Sequence, residues 1–72
     1  MIDHTYTGAR CRTVQHVNTH EGVLRRDTYG TIRYEVDNLD RHLVFVDWDN
    51  GISVAVFPQE IEIVAAYEQL AA

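Results

Sequence analysis

The clearest alternation of hydrophobic and polar positions is the segment TIRYEV at 31–36. Its apolar members, Ile32, Tyr34 and Val36, are separated by threonine, arginine and glutamate. A period of two residues is typical of a half-buried β-strand, because successive side chains point to opposite faces. A second run, 42–48, predicts another strand with apolar residues on both faces. Together with the strands that follow, these segments predict the interior residues Ile32, Tyr34, Val44, Val46, Trp48, Val54, Val56 and Ile61.

The strongest turn signal is DNG at 49–51, which lies between two β-rich runs. Asn-Gly readily adopts the two positive φ angles of a type I′ hairpin turn. The segment 52–57 is therefore predicted to pair antiparallel with 42–48. The proline that follows ends this strand, because proline donates no backbone hydrogen bond. Residues 58–60 then predict one helical turn, and residues 61–64 a short last strand.

The two ends of the chain carry weaker signals. Residues 9–17 predict a strand in which Cys11 and Thr13 point inward. Residues 18–29 predict a long, polar and irregular connection. The tail at 65–72 is rich in good helix formers, but so short a segment does not hold a helix alone. We expect this tail to be either frayed or docked on a partner.

The order of these elements predicts the fold. Strand, long loop, strand, short loop, strand, tight hairpin, strand, helical turn and strand is the layout of a five-stranded SH3-like barrel, an all-β fold. A sheet this small gains from closing on itself, because closure shields its edges. We therefore divide the chain into an N-terminal arm at 1–8, an SH3-like barrel at 9–64 and a C-terminal tail, with a helix as one alternative, at 65–72.

The chain resembles SH3-like accessory proteins in the stretches YGTIRYEV, HLVFVDWDNG and VAVFPQEIEIV. Its closing FPQEIEIV is similar to the end of the photosystem I E subunit and the ferredoxin–thioredoxin reductase variable chain. That end also resembles the plasmid-borne dihydrofolate reductases, which are tetramers of such barrels. The first resemblance implies an accessory role, and the second implies an enzyme whose site forms at the subunit junction. Where those reductases have V-Q-I-Y in the pore, this chain has VAVF at 54–57.

The amino-acid composition of the chain limits the kinds of binding partner and the cellular compartment that we expect. The 72 residues carry a formal net charge of −5, and all six basic residues are arginine. Because nucleic-acid affinity depends on positive charge, this acidic balance predicts no nucleic-acid binding. A single cysteine forms no internal disulfide, and no apolar run approaches the length of a membrane span. We therefore expect a cytoplasmic protein that does not bind membranes.

The spacing C-x4-H-x3-H joins Cys11, His16 and His20, and His-x3-His lies within the range seen at zinc sites. A structural zinc site needs a fourth ligand, from this chain or from a partner. The alternative is that Cys11 is a small core residue, because cysteine is often buried, and that both histidines are exposed. This alternative is the one we favour, and these three residues are a weak metal candidate.

The sequence contains few residues that are candidates for a catalytic role. Paired carboxylates act as acid and base when one of them is desolvated. The aspartates around the central hairpin include turn formers, so we interpret them as a solvated face: Asp37, Asp40, Asp47 and Asp49. We predict no catalytic residue and no cofactor.

The remaining apolar residues predict an interaction surface. Once the interior is filled, aromatic and aliphatic side chains are left over near the surface, as is common at interfaces. The predicted contact residues are Tyr29, Leu43, Phe45, Arg25 and Arg26, with Phe57 and Tyr67 as further surplus aromatics. The alternative is that the first connection and the tail cover them. The leading hypothesis is a small non-catalytic accessory module that binds a protein partner or itself. A homo-oligomeric enzyme or small-ligand binder, and a small zinc protein, are the alternatives.

Overall fold

The structure is a computed structural model that describes residues 1–64, so the predicted tail at 65–72, with Tyr67, lies outside the described residues. The described chain is all-β, as predicted, with one short 3₁₀ turn. Its elements are β1 (Ile2–Asp3), β2 (Arg10–Thr13), β3 (Val17–Thr19), β4 (Gly22–Leu24), β5 (Tyr29–Asn38), β6 (Arg41–Trp48), β7 (Ser53–Val56), the 3₁₀ turn (Pro58–Glu60) and β8 (Ile61–Ile63).

The main antiparallel sheet has six strands: five follow the order β7–β6–β5–β2–β8, and β1 pairs with β5. The strands β5, β6 and β7 are joined by tight turns, whereas β8 crosses back to pair with β2. The helical turn that was predicted before the last strand is present. Within residues 1–64 the end strands β7 and β8 do not pair, so the sheet is not closed into a barrel. The all-β class is confirmed, and the described strands form an open sheet.

The predicted N-terminal arm, residues 1–8, is part of this sheet. Its strand β1 pairs with the far half of β5 and places Ile2 opposite Val36. The N-terminal ammonium donates a hydrogen bond of 2.7 Å to the carbonyl of Asp37. Because β2 pairs with β5 at residues 29–31, the arm takes the position beside β5 that β2 leaves free.

The connection 18–29 is more ordered than predicted, because it contains the hairpin of β3 and β4. Leu24 of β4 is fully buried. The turn after β4 is held by Thr13, whose buried hydroxyl donates to the Arg25 carbonyl at 2.7 Å. The same hydroxyl accepts from the Thr28 amide at 3.0 Å. The prediction of an irregular connection was wrong, since this segment forms a hairpin that contributes Leu24 to the core.

The core lies between the inner face of the main sheet and the β3–β4 hairpin. Seven of the eight predicted interior residues are buried or partly buried there: Ile32, Val44, Val46, Trp48, Val56, Val54 and Ile61. The predicted inward positions Cys11 and Thr13 are both fully buried. Inside the core, the indole N–H of Trp48 donates to the carbonyl of Val54 at 3.3 Å. This contact satisfies the one polar atom of the indole.

The eighth predicted interior residue, Tyr34, lies on the other face because β5 contains a β-bulge. The pairing of β5 with β6 shifts between Ile32 and Tyr34, which leaves Arg33 as the extra residue. One extra residue reverses the faces of everything that follows it in the strand. Tyr34 therefore stands opposite Phe45 on the outside, and Glu35 stands opposite Val44 on the inside. The regular alternation that predicted an inward Tyr34 was wrong for this half of the strand.

The turn between β6 and β7 forms where it was predicted, with a different geometry. Gly51 has a φ of +95°, but Asn50 is not among the positive-φ residues. The amide of Gly51 donates to the Trp48 carbonyl at 3.0 Å, and the amide of Trp48 donates to the Ile52 carbonyl at 2.8 Å. This is a three-residue hairpin loop with a glycine bulge, in place of the type I′ turn.

Candidate functional site

The surface of β5, β6 and β7 that points away from the core carries a stripe of apolar side chains. We name it the outer face and define it by Tyr34, Val36, Leu43, Phe45 and Ala55. Register places these residues side by side, because Val36 pairs with Leu43, while Phe45 pairs with both Tyr34 and Ala55. All five are partly buried.

Two aromatic rings form the centre of the outer face. Tyr34 and Phe45 are stacked, with their ring centroids 4.8 Å apart and an interplanar angle of 19°. His4, from the N-terminal arm, is tilted by 55° against Tyr34 at 6.2 Å. Such an aromatic pair contributes roughly 0.5–1.5 kcal/mol beyond the area that it buries. The stack therefore helps to hold Phe45 in place on the outer face.

A hollow of about 570 Å³ continues the outer face at the turn between β5 and β6. Its apolar lining comes from Val36, Leu43 and Leu39. Leu39 is 94% exposed, and its φ of 56° lies in the left-handed region that leucine rarely adopts. An exposed leucine in a strained turn contributes little to the core, and it extends the apolar surface that a partner can bury.

Ion pairs border the outer face. The guanidinium of Arg10 binds both carboxylate oxygens of Asp49, with one contact of 2.9 Å, and also donates to the hydroxyl of Thr31. Arg33 lies 3.6 Å from Asp47. The hydrogen bond from Arg10 lowers the pKa of Asp49 and, in turn, raises the pKa of Arg10. Asp49 and Asp47 are therefore both paired with arginine.

The five predicted contact residues fall into separate groups. Leu43 and Phe45 lie together on the outer face. Tyr29 lies at the other end of β5, opposite Arg12 and roughly 15 Å along the strand from the Tyr34 stack. Arg25 and Arg26 are exposed in the turn between β4 and β5. The sequence identified two of the five residues of the outer face, and the bulge brought its second aromatic residue, Tyr34, to the same surface.

The predicted zinc ligands are not gathered in the described part of the chain. Cys11 is fully buried, and burial raises the pKa of its thiol to about 11. His16 is exposed, with its Nε2 3.2 Å from Asn18 Oδ1, and His20 is exposed near the β3–β4 turn. Among residues 1–64 no three His, Cys, Asp or Glu side chains are grouped so that they could hold a metal ion. Cys11 is a protonated core thiol at neutral pH.

The inner face of β5 contains a buried carboxylate that the alternation did not predict. Glu35 is 8% exposed, and its Oε1 is 2.7 Å from Nε2 of His42. Its second oxygen, Oε2, is buried and has no hydrogen-bond partner among residues 1–64. The bulge at Arg33 is the cause, because it turns Glu35 toward the core. The sequence contained no local signal for this inversion, since bulged and regular strands share the same alternation.

Glu35 lines a pocket of about 160 Å³. We name it the Glu35 pocket; its other walls are Tyr6, Ile32, Val44, Pro58, Ile61, Glu62 and Ile63. Glu62 is paired with Arg12, so its charge is already compensated. An unpartnered buried acceptor costs about 1–3 kcal/mol, and more when it is charged. The pocket thus has mainly apolar walls and includes the side chain of Glu35, whose Oε2 is itself buried and lacks a donor within residues 1–64.

Comparison of the chain with protein-family models, with curated proteins and with solved structures finds no match. Residues 1–64 contain no helix that is long and apolar enough to cross a membrane. Function is therefore inferred from the geometry of the described residues.

Proposed function

We propose that this chain is a small, non-catalytic protein-binding module that contacts its partner through the outer face and the adjoining β5–β6 turn. The observation that carries the proposal is the continuous apolar surface from Ala55 across the Tyr34–Phe45 stack to the exposed Leu39. Apolar patches rimmed by polar residues are typical of protein interaction sites. The ion pairs beside the stripe form that polar rim.

The strand order supports a finer proposal about the architecture. A meander of β5, β6 and β7, a 3₁₀ turn, and a last strand that returns to β2 follow the layout expected of an SH3-like barrel. We propose that the sheet is an open variant of that barrel. Its two unpaired edges are then further places where a partner strand could bind.

The exposed arginine pair favours an acidic segment in the partner. No ion pair is formed by Arg25 or Arg26 within residues 1–64, whereas three arginines of the sheet, Arg10, Arg12 and Arg33, are paired with carboxylates. Both lie in the turn that Thr13 anchors, so their backbone is held in place. Arginine forms planar, bidentate contacts with carboxylates, which suits it to such a role at an interface.

The substitution Phe45→Ala tests the outer face. We expect it to weaken partner binding at least tenfold, because truncating a central aromatic residue commonly costs about 2 kcal/mol or more of binding free energy. Binding is measured by quantitative capture on the immobilised full chain, and folding by circular dichroism. The matched control is Val23→Ala, which truncates a 47% exposed residue on the β3–β4 hairpin and should leave capture unchanged.

Two results would contradict this proposal. One is a Phe45→Ala protein that captures the same proteins as the wild type. The other is a Phe45→Ala protein that does not fold, which would place Phe45 in the core.

Native mass spectrometry distinguishes a foreign partner from a second copy of this chain. A discrete dimer that becomes a monomer in Phe45→Ala would identify self-association as the binding event. A monomer in both proteins would direct the search to other proteins.

A further inference from the structure

The strand β7 has one edge that no other strand of residues 1–64 covers. It stands at the end of the main sheet and pairs only with β6. The amide of Trp48 donates to the carbonyl of Ile52, which makes these two residues a hydrogen-bonded pair. Such pairs alternate along antiparallel strands, so the next residue of β7 that bonds to β6 is Val54. The amide and carbonyl groups of Ser53 and Ala55 therefore point away from β6.

A groove runs along β7. It consists of two hollows of about 220 and 360 Å³. Both hollows are lined by Leu43, Val54 and Ala55, so they are continuous. One wall is β7, and the opposite wall is β3 with the turn that follows it. We name this the β7 groove and define it by residues 17–21 and 53–57 with the side chains of Leu43 and Phe45.

The β7 groove has the properties of a site for an added strand. An unpaired edge is a template for an extended chain, which bonds to its free amide and carbonyl groups. The edge ends at Phe57, because the amide of Phe57 donates to Oε1 of Glu60 at 2.8 Å. The free part is therefore Ser53–Val56, which is roughly 13 Å long. Three of these four residues are apolar, so side chains on both faces of an added strand meet apolar neighbours.

Both ends of the β7 groove are acidic. Glu21 lines the hollow that contains Ser53, and Glu60 lines the hollow that contains Phe57. Within residues 1–64 neither glutamate forms an ion pair, and no arginine lines the groove. A segment with a basic residue at each end is complementary to this arrangement. The tail at 65–72 contains no basic residue, so its charge does not fit the groove.

We propose, on the basis that this chain is a protein-binding module, that the β7 groove binds an extended segment of another protein as an added strand. The segment has apolar side chains in its middle and a lysine or arginine at each end. Arg25 and Arg26 do not line the groove. The acidic segment proposed for them is therefore a different part of the partner.

The capped peptide acetyl-KVTVK-amide, titrated into the full chain at pH 7.5 and followed by NMR, tests the groove. Free histidine is mostly neutral at this pH, so the glutamates set the charge of the groove. We expect saturable shifts along Ser53–Val56 and slower hydrogen exchange at the amides of Ser53 and Ala55. The amide of Val54 already bonds to β6 and should change least. Saturable shifts with unchanged exchange at Ser53 and Ala55 would overturn the proposal, as would an absence of saturable shifts.

Two N-methylated forms of the peptide separate main-chain bonding from side-chain contact. One form carries methyl groups on the amides of both valines, and the other carries one on the amide of threonine. Successive N–H groups of a strand point to opposite sides, so one of the two forms loses the donors that face β7. At least one form should bind roughly tenfold more weakly than the parent peptide. Equal affinity of all three peptides would show that no strand is added.

The double variant Glu21→Gln with Glu60→Gln tests the acidic ends. It removes both charges and keeps the side-chain oxygen that accepts from the Phe57 amide. We expect it to bind acetyl-KVTVK-amide at least fivefold more weakly at low ionic strength, where exposed charges are least screened. The matched control, Asp3→Asn with Glu62→Gln, removes two carboxylate charges from β1 and β8 and should change the affinity less than twofold.

The peptide acetyl-EVTVE-amide provides the same test on the wild-type protein, so the question is decided even if the double variant does not fold. It should bind at least fivefold more weakly than acetyl-KVTVK-amide. Equal binding of the two peptides would contradict the basic ends of the proposed segment.

A second copy of this chain is the competing occupant of the groove. A dimer through β7 would slow exchange at Ser53 and Ala55 in the free protein as its concentration rises, and that result would overturn a foreign segment. The outer face is tested separately. Partner capture that is unaffected by Phe45→Ala contradicts the proposed function and leaves the peptide results standing, whereas equal affinity of the N-methylated peptides contradicts the groove alone.

Discussion

The two halves of β5 belong to one strand and obey opposite patterns. Before the bulge, Gly30 and Ile32 point inward, and Gly30 packs so closely on β6 that no side chain fits. After the bulge, Tyr34 points outward to the aromatic stack and Glu35 inward to its pocket. The difference is a single extra residue, Arg33. It teaches that one bulge can create an aromatic outer surface and a buried carboxylate together, because it moves an aromatic residue out and a carboxylate in.

The largest effect is expected in the first half of β5, from Gly30→Ala. A Cβ at this position would lie 2.6 Å from Val46 Cγ1, 2.7 Å from Trp48 Cε3 and 3.0 Å from the Asp47 carbonyl oxygen. Because one of these neighbours is backbone and two are core side chains, we expect a loss of about 3 kcal/mol in the free energy of unfolding. Urea denaturation followed by Trp48 fluorescence measures it.

The control for Gly30→Ala is Gly8→Ala. Gly8 has open space around its Cβ position but a φ of +89°, so its cost of about 1 kcal/mol comes from backbone strain alone. If Gly30→Ala cost no more than Gly8→Ala, the close packing of β5 on β6 would be refuted.

In the second half of β5, Glu35→Leu is expected to raise the free energy of unfolding, by less than Gly30→Ala lowers it. The substitution replaces an unpartnered buried oxygen with an apolar side chain, at the expense of the hydrogen bond to His42. Replacing poorly compensated buried charges by hydrophobic groups is often stabilising. We expect a gain of about 1 kcal/mol in the free energy of unfolding, measured by the same urea titration. A loss of stability would show that the carboxylate is retained for the fold.

The smallest effect concerns the ion pair beside the strand, tested by Asp49→Asn. Arg10 lowers the pKa of Asp49 in the folded protein, so the pair stabilises the fold above the unfolded carboxyl pKa of about 4. This contribution is lost as the pH falls through the lower, folded pKa. Because Asp49 is about half exposed, we expect about 0.5 kcal/mol. Thermal unfolding at pH 7 and pH 2 should show the difference between wild type and Asp49→Asn at pH 7 only.

Only part of the outer face was predicted from the sequence. Leu43 and Phe45 were predicted because the apolar run 42–48 has more hydrophobic residues than one face can bury. Tyr34 was assigned to the interior, and its role in the stack follows from the bulge. The Glu35 pocket was not predicted, since its walls come from the arm, β5, β6, the 3₁₀ turn and β8, which are distant in sequence.

By itself, the sequence determined the all-β class, the places of the strands from 31 to 64, and the helical turn after Val56. These features depend on local properties: the period of the side chains, and the conformations that glycine, asparagine and proline favour. The tertiary structure decided which face of the sheet each residue of β5 after Arg33 lies on. It also decided that Leu24 is buried and that the end strands of the sheet do not pair. A strand keeps the same alternation with or without a bulge, so only its packing against β6 and the core selects the register.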